Sequence, residues 1–91
     1  MTLIHRYTSA VADAEGRTYV AEAHGRKGTT GLWEGWIEFV GVDRQIVLRT
    51  PTETRQPDRR ALRYWAAGLE PLYLEGSLTR AIRARLAEFQ A

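Results

Sequence analysis

A chain of 91 residues with 44% apolar and 26% charged side chains has the length and make-up of one small globular domain, taken as residues 1–91. Its net charge of +2 is only mildly basic. Cysteine is absent, which excludes disulfides, thiolate zinc sites and thiol nucleophiles together.

Taken in chain order, residues 3–14 read as a strand with weak alternation, and Glu15–Gly16 as a turn. Residues 17–25 alternate better and complete a β-hairpin. Arg26–Gly31 is a polar, glycine-rich loop, and "GLWEGWIEFV" after it gives the strongest strand, over residues 32–40. Gly41–Gln45 is a tight turn into a fourth strand at residues 46–50. Short connections favour an antiparallel meander. The proline-bearing stretch Pro51–Pro57 reads as a connecting loop. Helical spacing of Ala61, Leu62, Trp65, Ala66 and Leu69 then predicts a helix over residues 57–68, with Pro57 at its first position and Gly68 at its end. Residues 70–77 fit either a helical turn or an extended link. Ser77 suits the cap of a last helix, and helix is assigned over residues 72–89. In it Leu78, Ile82, Leu86 and Phe89 form one stripe, with Arg80 and Arg83 pointing away. The expected fold is α+β: a four-stranded, mainly antiparallel sheet with two C-terminal helices on one face.

No apolar run approaches the roughly 20 residues of a membrane span. The N-terminus lacks a basic-then-apolar leader, and a cytoplasmic location is expected. Twelve of the basic residues are arginine and Lys27 is the one lysine. Guanidinium groups recognise phosphate and carboxylate; a GC-rich genome gives the same bias.

Alternation places Trp33, Gly35, Ile37 and Phe39 on one side of the central strand and Glu34, Trp36, Glu38 and Val40 on the other. The first side suits a core with Leu62, Trp65, Leu78 and Ile82. Two helices cover one side of a sheet, so the Trp36 side is left partly open. A tryptophan there, flanked by Glu34 and Glu38, makes a contact surface selecting a cationic partner, with Arg49 setting register and His24 nearby. Local cover, such as the stem of Arg49, the N-terminal strand or a curled sheet edge, is the other arrangement that fits.

The remaining constellations are thinner. Arg59, Arg60 and Arg63 cluster within a turn and fit either a phosphate-binding face or a solvated helix surface. Arg80, Arg83 and Arg85 suit the C-terminal half of a helix. Glu53 with Gln56 has the types of a catalytic pair, but the sequence identifies no partner acid, base or metal for Glu53. His5 and His24, the only histidines, have no ligand spacing, so neither metal nor cofactor is expected. "GRKGTTG" is not a phosphate loop, because a strand follows it where a helix is needed.

"DRRALRYWAAGL" resembles the basic helix of double-stranded RNA-binding domains, which implies phosphate contacts by Arg59, Arg60 and Arg63. The first helix of that family has no counterpart, and the chain continues into a further helix. Over a longer span, "WEGWIEF" with "ETRQPDRRALRYWAAGLEPLYLEGSLTRA" is similar to small bacterial proteins of uncharacterised function, from which no functional residue carries over. The expectation is a non-enzymatic module binding a protein or a second copy of itself around Trp36, with nucleic acid as the alternative partner.

Overall fold

The computed structural model describes residues 1–90. The chain runs β1 (Thr2–Arg6), β2 (Val11–Ala12), β3 (Thr18–Lys27), β4 (Trp33–Gly41), β5 (Val47–Arg49), β6 (Thr54–Gln56), α1 (Arg59–Ala67) and α2 (Pro71–Gln90). The sheet has six antiparallel strands where four were expected, because each outer strand is interrupted. β3 and β4 form an unbroken central ladder from Tyr19–Gly41 to Lys27–Trp33. β1 and β2 share the free side of β3, and β5 and β6 share the free side of β4.

The two interruptions have the same form. Between the rungs Arg6–Glu22 and Val11–Tyr19 the outer chain is two residues longer than β3. Between Glu38–Arg49 and Gly35–Thr54 the outer chain is again two residues longer than β4. Such excess bends a strand and re-aims its side chains. At the first site Tyr7 turns inward and its hydroxyl donates to the Ala66 carbonyl of α1 at 2.7 Å. Burial, with the nearby Tyr73 adding to it, pushes the Tyr7 phenol up to about 12. At the second site the Thr50 hydroxyl accepts the Ile37 N–H at 3.0 Å, and the Glu53 N–H then donates to Gly35. Chain expected to be a loop thus returns to the sheet as β6. β1 has a further bulge, with Ile4 as the extra residue between Leu3 and His5.

The helices lie on the side carrying Tyr19, Ala21, Ala23, Ile37 and Phe39, which are buried with Leu48, Leu62, Ala66, Leu74, Leu78 and Ala81. α1 comes closest. Gly25 and Gly35 form one rung, and Leu62 fills the hollow that their missing side chains leave. A Cβ on Gly35 would stand 2.5 Å from Leu62 Cδ1. Glycine in a strand interior marks such a close approach.

Several local expectations change. Asp58, with extended backbone, caps α1 by accepting the Ala61 N–H at 2.8 Å, so Pro57 precedes the cap. α2 starts at Pro71, and residues 70–77 are almost wholly helical. Ser77 is therefore no cap; it lies buried mid-helix with its hydroxyl donating to the Leu74 carbonyl. The apolar stripe of α2 holds to Leu78 and Ile82, but Leu86 and Phe89 are 53% and 74% exposed, because the helix outruns the sheet.

The β2–β3 turn is tied by one side chain. Asp13 accepts the backbone N–H groups of Glu15 and Arg17, the Arg17 Nε and the Tyr19 hydroxyl, all within 3.0 Å. Arg17 beside it holds the Asp13 carboxyl down to about 2.

Two outcomes follow. Gly35→Ala should cost about 1–3 kcal/mol of overpacking strain in urea unfolding; an unchanged midpoint would mean that Leu62 is not seated in the hollow. For Asp13, the folded value lies below the unfolded value of about 3.9. The unfolded chain then binds more protons between about pH 4 and pH 2, and stability falls as pH falls through that window. Asp13→Asn should flatten this part of the acid slope, read from urea midpoints at stepped pH.

Candidate functional site

The face of the sheet away from the helices carries Trp36, Glu34, Glu38, Arg49 and His24, the five residues singled out in the sequence. Register explains the grouping. His24 is directly opposite Trp36, and Arg49 directly opposite Glu38. Facing residues of a pair project to the same side of the sheet.

Trp36 is not exposed. It lies on the uncovered face yet keeps only 1% of its surface in solvent. The Arg49 guanidinium lies 3.9 Å from the indole centroid, and that of Arg26 lies 5.9 Å away. The His24 ring stacks at 6.4 Å with a 16° tilt. Trp36 Nε1 donates to Glu38 at 2.9 Å. Of the two arrangements that fitted the sequence, local cover by Arg49 is the one found. Trp36 is a floor and not a protruding anchor.

The acids around it are already matched. Glu34 meets Arg26 at 3.2 Å and Arg55 at 3.5 Å. Glu22 faces Glu38 across the rung, a repulsive placement by itself. His24 Nε2 resolves it, lying 3.0 Å from Glu22 and 3.7 Å from Glu38. Arg6 Nε adds a bond to Glu22 at 2.9 Å. The His24 hydrogen bond and Arg6 together hold the Glu22 carboxyl below the usual range. His24 Nδ1 is buried without a partner.

Arg49 is the exception. It is exposed, stacked on Trp36, and forms no ion pair or side-chain hydrogen bond among the described residues. A guanidinium has five N–H donors in a planar fork. Stacking uses its face and leaves its edges for a carboxylate or phosphate. Arg49 is therefore the one guanidinium of this face without an ion pair, although it stands opposite Glu38 in the register. The sequence reading missed Glu22, Arg6, Arg26 and Arg55. Their signal is cross-strand position, visible only once the register is known.

The other candidates separate. Glu53 accepts the Tyr73 hydroxyl at 2.7 Å and is held by Arg80 at 2.6 and 3.0 Å. Both oxygens are occupied, and Arg80, expected to point away, is what occupies them. Burial and then the Glu53 bond raise the Tyr73 phenol to about 12. This is a clamp between the second bulge and α2. Gln56 donates to Thr54 and not to Glu53. His5 packs edge-on to Tyr7 at 4.6 Å, on the side of the sheet opposite His24. The two histidines therefore share no site, and no group of three or more potential metal ligands occurs among the described residues. Arg59, Arg60 and Arg63 are exposed on α1. No helix among the described residues is long and apolar enough to cross a membrane.

No family model, curated protein or solved structure matches the chain at a significant level.

Arg49→Ala should uncover the Trp36 indole. The expected readout is a red shift of tryptophan emission with a stability loss of about 0.5–2 kcal/mol, the range for a stacked cation. Unchanged emission would show that Arg49 does not cover the ring.

Proposed function

We propose that this protein is a non-enzymatic interaction module that binds a protein partner through the open sheet face, either another protein or a second copy of itself that offers a carboxylate from a different surface. One observation carries the reading: Arg49 lies on Trp36 with its donor edges free while every carboxylate around it is engaged. The side chain is already ordered by stacking, so docking costs less entropy than it would for a free arginine. An incoming carboxylate completes its hydrogen bonds beside acids that already have partners of their own. The remaining ion pairs, Arg6–Glu22 and Arg26–Glu34, form a polar rim that sets register.

Trp36→Ala does not test this cleanly. It removes a buried indole, which costs about 3–5 kcal/mol and endangers the fold. Arg49→Glu is the sharper variant, because it reverses the charge of the one unpaired guanidinium on this face. Light scattering of the wild type should give a mass above the 10.3 kDa of one chain, rising with concentration. Arg49→Glu should return it to monomer with an unchanged far-ultraviolet spectrum. A wild type that stays monomeric at every concentration overturns self-association. A dimer indifferent to Arg49→Glu overturns the site.

A further inference from the structure

Positive charge is distributed unevenly over this molecule. Asp13, Glu22, Glu34 and Glu53 each have an arginine partner, and Asp58 is used to cap α1. Arg59, Arg60 and Arg63 form no ion pair among the described residues and are exposed. They fall within the first turns of a nine-residue helix. Three unpaired guanidinium groups thus lie together on one short surface.

Tyr64 rises from the same surface. It lies one turn beyond Arg60 and next to Arg63. It is 85% exposed. Its hydroxyl makes no hydrogen bond among the described residues, and its ring stacks on no aromatic ring or cation. Nothing in the fold uses this side chain. The inner face of the helix is occupied by Leu62 and Ala66, so Tyr64 cannot turn into the core. Tyr64 lines a shallow groove together with Gln56, Asp58, Arg60 and Trp65.

We infer that this face of α1 binds single-stranded nucleic acid, with phosphates on Arg59, Arg60 and Arg63 and an unstacked base laid on Tyr64. Guanidinium groups take phosphate oxygens in pairs. An exposed aromatic ring among cations matches a strand whose bases are free to stack on protein. A duplex keeps its bases stacked inside and presents no ring face to a lone tyrosine. An acidic protein segment would engage the arginines and cover Tyr64 as well, and comparison with a polyglutamate peptide separates it from a nucleic acid. Asp58 accepts the Ala61 N–H and so occupies the N-terminus of α1; the phosphates are therefore held by the arginine side chains and not by the helix's own N–H groups.

The test is fluorescence anisotropy with a labelled oligothymidine of about 12 nucleotides, a length within the usual site sizes. It is run at about 50 and about 200 mM salt, with the same sequence as a duplex for comparison. Three phosphate contacts to a single strand give a slope of roughly −2 in log affinity against log salt, a loss of about 20-fold across that range. The combined variant Arg59→Gln, Arg60→Gln, Arg63→Gln should abolish binding. Tyr64→Ala should weaken it by about 5-fold or more, the effect of losing one stacked base, and Tyr64→Phe should retain it. All four side chains are exposed, so far-ultraviolet spectra of the variants should match the wild type. Arg83→Gln, at an exposed arginine of α2 outside both faces, should leave oligonucleotide affinity within about 2-fold of wild type at high salt, where distant charges are screened; a loss as large as that of the triple variant would show that binding follows net charge and overturn the site. Absence of wild-type binding at the lower salt, or binding indifferent to the triple substitution, overturns the inference. Equal affinity for the duplex with no effect of Tyr64→Ala overturns the stacking role. Tighter binding to a polyglutamate peptide than to the oligonucleotide overturns the ligand class.

Discussion

Leu62 in the hollow above Gly25 and Gly35 is the contact on which the rest of this structure depends. Two glycines on one rung leave a gap in the middle of the sheet, and one leucine from α1 fills it. The approach of α1 is then fixed. Trp65, one turn on, comes within 3.6 Å of the position a Gly35 side chain would take. Ala66 is drawn into the core beside it. With α1 held there, its opposite surface, bearing the arginines and Tyr64, faces solvent.

The two outer strands do the rest of the fastening. Each has two extra residues, and each turns that excess into a polar tie to a different helix. Tyr7 reaches the backbone of α1, and Glu53 reaches Tyr73 and Arg80 of α2. Both ties are shielded from water on at least one side, which is where a hydrogen bond contributes most and where losing one partner is most damaging. The edge bulges also bend the outer strands away from a flat, continuous edge, the form that invites pairing with other chains.

Some of this was legible in the sequence and some was not. Alternation along residues 32–40 separated the helix-facing side from the open side correctly, because side-chain period is a local property of a strand. The same local pattern could not reveal that Trp36 lies under Arg49. That depends on which residue of β5 stands opposite Glu38. Glycine at position 35 was visible in the strand, but its purpose needed Gly25 as rung partner and Leu62 above. The stretch 51–57 reads as a loop by composition, and it is bent like one; it rejoins the sheet because its two-residue excess lets Thr54 face Gly35. Ser77 resembled a helix cap by residue type, but Pro71 opens α2 earlier and carries the helix through it. The arginine cluster could be read from spacing alone. The bareness of Tyr64 beside it could not, since an aromatic residue in a helix is ordinarily turned inward.

The order of the strands has a consequence for how the chain finds this shape. Short turns join β2 to β3, β3 to β4 and β4 to β5, and β1 and β6 extend the same ladders beyond each bulge, so the first closures carry a small entropic cost. The hairpin of β3 and β4 can form from its own residues. The finished sheet, however, shows Ala21, Ala23, Ile37 and Phe39 on a side with nothing yet above them. A sheet of small and apolar side chains exposed to water gains little until α1 and α2 arrive. Early partners are therefore local, while the free energy that holds them comes late and from the C-terminal third of the chain. During synthesis, the ribosome releases the strands before the segment that covers them, and the nascent sheet must wait for its own lid.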